Sequence, residues 1–312
     1  MYYAPYLPNA ILVISGIVAA YAQNLVLTND DGWAVAQIRA QYTALTDEGF
    51  EVVLSSPALD MSGTGSSTMI PLPLDITPCE YDSCPLGSPA KGYNASEARL
   101  NYVNAFPSDA AHYGIETLAP RLFDGAQPDL VVSGPNIGNN LALSVLFSGT
   151  VGAACEAAQE GISSAAFSGD SGSQVSYTTL TSEPNATSSQ SARIYAALTS
   201  QFIQTILTAT PAGSTVLPSN VTLNVNYPSI DGCAYPSDYK WVLSRNEPNL
   251  GQTDVETCGS TALPWEVTVV NTSGCYASVS VISATSKSDV NATLQAAVLG
   301  RLTDLPLSCL SS

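Results

Sequence analysis

From residue 24 to residue 170 the chain repeats one order: a short apolar β-prone run, a polar loop, then an amphipathic stretch. Residues 25–28 are the first such run, and Asn29-Asp30-Asp31-Gly32 follows as a turn. Residues 33–46 read as a helix with Ile38, Tyr42 and Leu45 on one face. Gly49 ends that helix, residues 51–54 form the next strand, and residues 55–73 are a Ser/Gly/Pro-rich loop. Ser108 and Asp109 have the character of a helix start leading to residue 119. Residues 130–132 are strand, 133–140 a Gly/Asn-rich loop, 148–160 a helix opened by Ser148, and 165–167 strand again.

This order implies an α/β fold, a three-layer, mostly parallel, Rossmann-like sheet with helices on both faces. In such sheets ligands bind beyond the C-terminal ends of the strands. Segments 29–32, 55–68 and 133–150 should therefore gather there. After residue 170 the texture changes. Residues 170–192 read as surface loop, 193–208 as helix, 221–226 as strand, 279–282 as a last strand and 291–302 as a helix. The stretch 229–275 holds three cysteines and many turn formers, and no internal repeat is present. The expected division is a leader at 1–22 and one domain at 23–312, with a core at 24–230 and a disulfide-containing C-terminal elaboration at 231–312.

The leader expectation rests on an almost unbroken apolar run at 10–22 ending in Ala20-Tyr21-Ala22, a small-x-small cleavage pattern. Residues 1–9 lack Lys and Arg, so a buried N-terminal strand or helix is the competing reading. Sequons at Asn94, Asn185, Asn220, Asn271 and Asn291 are expected glycosylation sites in an exported chain. The 7 cysteines fit an oxidising compartment. Cys79 and Cys84 can close a small loop, and Cys233, Cys258, Cys275 and Cys309 can form two more bridges whose pairing stays open. Cys155, within Val151-Gly-Ala-Ala-Cys155-Glu-Ala-Ala158, is the odd, buried thiol. Secretion follows as the expected localisation, with no membrane partner once the leader is removed.

The formal net charge is −17, from 9 basic and 26 acidic residues, and no charge run appears. Such a surface repels nucleic-acid polymers and anionic membranes. A phosphate substrate would need a local positive centre, which a bound metal can supply.

Asn29-Asp30-Asp31-Gly32 places two carboxylates directly after a buried strand, where a divalent cation would neutralise them. Alone, this tetrapeptide is better explained as an Asp-rich turn or helix cap. Asn136 in Ser133-Gly134-Pro135-Asn136-Ile137-Gly138-Asn139-Asn140 offers a neutral carbonyl oxygen. Ser148, Gly149 and Thr150 open a helix whose free N–H groups favour a phosphate, though an ordinary Ser/Thr cap reads the same way. Ser62 lies in the hydroxyl-rich Asp60-Met61-Ser62-Gly63-Thr64-Gly65-Ser66-Ser67, which by itself is better read as a flexible linker.

In combination and order, these segments resemble the SurE family of phosphatases and nucleotidases. The matching motifs are Asn29-Asp30-Asp31-Gly32, Ser56-Pro57, Ser62-Gly63 with Ser67, the 133–140 segment, Ser148-Gly149-Thr150-Val151 and Leu223-Asn224-Val225-Asn226-Tyr227-Pro228. The resemblance implies that Asp30, Asp31, Ser62 and Asn136 ligate one divalent cation. Mg²⁺ or Mn²⁺ is the leading identity, and Ca²⁺ suits the same oxygen donors. It also implies that Asn140, Ser148, Gly149 and Thr150 border the phosphate, with Asp30 as the catalytic carboxylate. The expected reaction is hydrolysis of small phosphomonoesters, acid-phosphatase or 5′- or 3′-nucleotidase in type. A secreted glycoprotein that keeps the fold as a non-catalytic binding protein is the alternative. The family's C-terminal region helps form oligomers, so a homodimer is an expected partner state. Ala105-Phe106-Pro107-Ser108-Asp109 departs from the family's Gly-Thr-Pro-x-Asp, and Ser144 and Phe147 stand where an acidic residue or Tyr is common.

Other chemistries fit poorly. The single histidine, His112, lies outside the three loops and reads as a surface or packing residue. One histidine does not support phosphohistidine chemistry. The chain has neither a Gly-x-Ser-x-Gly elbow nor a histidine after residue 112 to complete that triad order. No Cys/His spacing suggests zinc.

Overall fold

The structure is a computed structural model and describes Met1 and residues 22–310. The expected leader falls almost wholly outside the described residues. Among the described residues nine strands form one sheet in the order β3-β4-β2-β1-β5-β6-β7-β9-β8. In chain order they are β1 (Asn24–Thr28), β2 (Glu51–Pro57), β3 (Lys91–Asn94), β4 (Glu97–Val103), β5 (Leu130–Ile137), β6 (Ser164–Gly169), β7 (Val221–Tyr227), β8 (Lys240–Ser244) and β9 (Tyr276–Ser283). The six strands from β4 to β7 in that order pair in parallel. β3 is antiparallel to β4, β9 is antiparallel to β7, and β8 is parallel to β9.

The helices are α1 (Ala36–Asp47), α2 (Pro107–Tyr113), α3 (Ala119–Leu122), α4 (Gly149–Gln159), α5 (Thr179–Ser182), α6 (Thr187–Thr208), α7 (Glu266–Asn271) and α8 (Ala292–Leu299). A π-helical turn at Gly114–Leu118 joins α2 to α3. The period of two in β1 decides which layer each side chain enters. Leu25 and Leu27 join a core with Ile38 and Leu45 of α1 and Phe202 and Ile203 of α6. Val26, between them, faces the other layer with Val53, Val131, Ile115 and Leu118. Each such Leu or Val, fully buried, stabilises the fold by about 1.5–3 kcal/mol.

The structure extends several expected elements. β2 runs through Pro57 and β5 through Ile137, with a register irregularity between Ser133 and Asn136. Polar Ser55, Ser56 and Ser133 thus lie in strands, and all are fully buried. The first helix starts at Ala36, because residues 33–35 continue the turn after Gly32. α6 begins at Thr187, inside the expected loop. The β3–β4 hairpin, β8 and α7 were not anticipated.

Residues beyond 230 continue the same sheet. Trp241 of β8 packs on Phe202 and Tyr227 at centroid distances of 5.3 and 5.8 Å. The disulfides are Cys79–Cys84, Cys233–Cys275 and Cys258–Cys309, and Cys155 is a buried free thiol. Asn185, Asn220, Asn271 and Asn291 are exposed and Asn94 is partly exposed. Asn291 caps α8, its side chain accepting from the Leu294 N–H. No described helix is long and apolar enough to cross a membrane.

Candidate active site

β1 lies between β2 and β5, so the chain leaves it toward one side of the sheet and later returns on the other. A crevice forms where strand order reverses in this way. Asp30 and Asp31 follow β1 there, and Asn136 lies near the end of β5.

The turn after β1 is held from below. Asn29 Nδ2 donates to the Gly32 carbonyl at 2.9 Å. Gly32 has φ +106°, and a Cβ there would lie 2.4 Å from the Glu80 carboxyl group. The Ala34 N–H donates to Glu80 Oε1 at 2.8 Å. Glu80 is carried in the Cys79–Cys84 loop, and Ser83 in the same loop accepts from Trp33 Nε1 at 2.9 Å. A small disulfide-closed loop thereby clamps residues 32–34.

Hydrogen bonds join the distant segments at Asp30 and Asp31. Thr150 Oγ1 donates to Asp30 Oδ1 at 2.5 Å, and the Met61 N–H donates to the Asp30 carbonyl at 2.8 Å. Asp31 Oδ2 accepts from the Ile137 N–H at 2.9 Å, and Oδ1 from Gln174 Nε2 at 2.7 Å. Gly149 packs on Asp30 so closely that a Cβ at 149 would stand 2.8 Å from that of Asp30. Ser148 caps α4, its Oγ accepting from the Val151 N–H at 3.0 Å. The Gly65 N–H donates to the Phe147 carbonyl at 2.9 Å, fastening the 62–68 loop to the approach to α4.

The remaining expected site residues have particular partners. Asn136 Nδ2 donates to the carbonyls of Ile137 and Gly138, which leaves Oδ1 as its unengaged acceptor. Ser62 is exposed, and its hydroxyl donates to Asp60 Oδ1 at 2.6 Å. Asn140 is buried and tied into the sheet: Nδ2 donates to Ser168 Oγ, and its carbonyl accepts from Asn224 and Asn226. Asn140 thus anchors its loop, and the Thr150 hydroxyl is committed to Asp30. Behind this loop, Glu266 of α7 accepts from the Ala142 N–H at 2.8 Å, Asn224 Nδ2 at 3.1 Å and Ser280 Oγ at 2.7 Å.

Glu80, Gln174 and Glu266 were not singled out from the sequence. An acid inside a six-residue cystine loop was the available signal for Glu80. Gln174 lies in an aperiodic polar stretch and gave none.

Asp30 and Asp31 are 2% and 0% exposed. Burial raises the pKa of Asp30, and burial followed by the Asp30 charge raises that of Asp31 well above the usual carboxylate range. Their described partners are neutral N–H and O–H donors, and neither takes part in an ion pair. Two adjacent buried carboxylates thus stand without a positive charge, with Asn136 on the neighbouring strand β5 and the loop that carries Ser62 fastened to Asp30 through the Met61 N–H. A hard divalent cation fits these oxygen donors. His112 lies elsewhere, exposed on α2, with Nδ1 2.5 Å from Glu160 Oε1 and Glu156 close by on α4. That trio could hold an ion, but it includes none of the loop residues.

Residues 25–245 match the protein family described as Survival protein SurE. An acid phosphatase of Yarrowia lipolytica is 33% identical over 288 residues, covering 83% of this chain and 78% of that protein. A 5′-nucleotidase SurE of Nitratidesulfovibrio vulgaris is 36% identical over 147 residues, 47% of this chain and 48% of that protein. The SurE protein of Aquifex aeolicus shares the fold, with TM-score 0.55 and 22% identity over 84% of this chain and 93% of that one. The family match over most of the chain, with a relative 33% identical over 83% of it, places this protein in the SurE family.

Proposed function

We propose that the chain hydrolyses small phosphomonoesters with one divalent cation held by Asp30, Asp31, Ser62 and Asn136. The observation that carries this reading is the meeting of the 29–32, 60–65, 136–137 and 148–150 segments around two buried carboxylates without a counter-charge. The names of the relatives support it: one is an acid phosphatase and another a 5′-nucleotidase.

The cation, when bound, supplies Lewis-acid stabilisation of phosphoryl oxygens and a low-pKa water. The remaining work belongs to the chain. Thr150 holds Asp30 Oδ1 in place, and Gln174 with the Ile137 N–H holds both oxygens of Asp31. Such fixed rotamers keep the ligand set preorganised. The first turn of α4, capped by Ser148, brings the positive end of its dipole to the same loops, where it favours a phosphate.

The test is an assay on p-nitrophenyl phosphate and a panel of nucleoside monophosphates with Mg²⁺, Mn²⁺ or Ca²⁺. Chelator and Asp30→Asn should each abolish turnover. No hydrolysis with any of these ions would overturn the reading and leave a binding protein with the family fold. We propose in addition that the chain is exported and glycosylated, supported by the three disulfides and the exposed sequons. Recovery in the medium of an expressing cell, with a mass shift on glycosidase treatment, would establish this.

A further inference from the structure

Arg39 is a buried cation with no carboxylate in ion-pair contact among the described residues, Glu80 being the acid whose charge acts on it from a distance. It stands on α1, 8% exposed, in a chain whose formal charge is −17. Its Nε donates to the Trp33 carbonyl at 2.7 Å. The guanidinium lies over the Trp33 ring at 5.0 Å and over the Tyr177 ring at 4.6 Å. Among the described residues neither terminal nitrogen has a hydrogen-bond partner, and no carboxylate is within ion-pair distance. Neither nitrogen is sealed from solvent.

The side chain lines a cavity of about 650 Å³ between α1, α5 and α6. Arg193 lines it too, with its two terminal nitrogens donating to the carbonyls of Pro184 and Leu180, so of the two arginines Arg39 alone has unengaged terminal nitrogens there. Asp47, exposed at the end of α1, is the single acidic lining residue. Tyr42 adds a phenol, and Leu100, Leu180 and Ala197 give apolar wall. None of the candidate metal ligands or of residues 148–150 lines this cavity.

Removing an unpaired guanidinium from water is costly, and aromatic stacking offsets only part of that cost. Stacking also fixes the plane of the group. The unengaged N–H bonds then point in-plane as a rigid fork, which matches the oxygens of a carboxylate or phosphate. We propose that this cavity is a second binding site, for a small organic oxyanion, a phosphate monoester or a carboxylate, with an apolar body. The oxyanion sits on the terminal nitrogens of Arg39, and the body lies along Leu100, Leu180 and Ala197.

The test is calorimetric titration of the full chain with phenylphosphonate and, separately, with benzoate. Chelator is present throughout, so that binding at a metal-dependent site is silent. Wild-type protein and Asp30→Asn should each show one saturable site, and the preferred probe identifies the oxyanion. Arg39→Met should weaken binding by about tenfold or more, because the bidentate charged contact is lost. Thr181→Trp, which places a ring over the cavity from an exposed lining position and keeps Arg39, should weaken it as well. The second variant serves if the first does not fold. Absence of saturable binding with both probes, or binding unchanged in a folded variant, would leave the Arg39 stack a purely structural feature.

Discussion

The hydroxyl of Thr150 donates to Asp30 Oδ1 at 2.5 Å and so ties the first turn of α4 to the loop after β1, across 120 residues of chain. A hydrogen bond to a charged group contributes about 1.5–3 kcal/mol. Thr150→Val removes that donor and keeps the side-chain volume. The expected result is a fall in kcat/KM of about 10- to 100-fold together with a lowered melting temperature, while Thr150→Ser keeps most of the activity and stability. An unaltered rate in the valine variant would show that the bond plays no part in orienting Asp30.

Gly32 and Gly49 both have positive φ, but only Gly32 is crowded. A Cβ at 32 meets the Glu80 carboxyl group, whereas one at 49 meets nothing within 4 Å. Gly49→Ala should cost the backbone strain alone, about 1 kcal/mol, and Gly32→Ala should cost about 1–3 kcal/mol more because Glu80 must move. Denaturant unfolding of the two variants measures the difference. Equal destabilisation would show that Glu80 yields freely.

Burial pushes the Glu266 carboxyl up from 4.5 to about 8, against the three hydrogen bonds it accepts. The folded chain therefore holds a proton that the unfolded chain releases between those two values. The resulting stabilisation is complete below about pH 4.5 and is lost as pH rises through about 8. Unfolding free energy measured from pH 4 to 9 should decline less steeply in Glu266→Gln than in the wild type across that window. Parallel curves would place the Glu266 titration elsewhere.

The Cys258–Cys309 bridge closes a loop with a sequence separation of 51 and ties the end of the described chain beside β8. Replacing both cysteines with serine should lower stability by about 2–4 kcal/mol. Because the bridge is remote from Asp30, kcat at low temperature should stay within about twofold of wild type. A large loss of kcat in a protein still folded would tie the C-terminal region to catalysis more directly than the Glu266 contact does.

The Asp30-Asp31 turn was legible because its signal is local: two carboxylates and a glycine directly after a buried apolar run. Ser148 was legible as a helix cap for the same reason. Gln174 was not, since it reaches Asp31 across 143 residues from a stretch without periodicity. Glu266 was hidden too, because α7 lies among turn formers and cysteines that carry no helical pattern. Thr150 was read as a phosphate neighbour, and only the packing of α4 against the loop after β1 turned its hydroxyl to Asp30.

The sequence by itself determined the alternation of strands and helices, because burial imposes short apolar runs on strands and a period of about 3.6 on helices within a few residues. It also determined that carboxylates, amides and hydroxyls cluster at the strand ends. Only the tertiary structure decided the strand order, the antiparallel return of β9, which of the three pairings of four cysteines forms, and which donor each carboxylate oxygen meets. Those outcomes depend on closing loops of tens to hundreds of residues against a shared core, and such closures leave no periodic trace in the residues that make them.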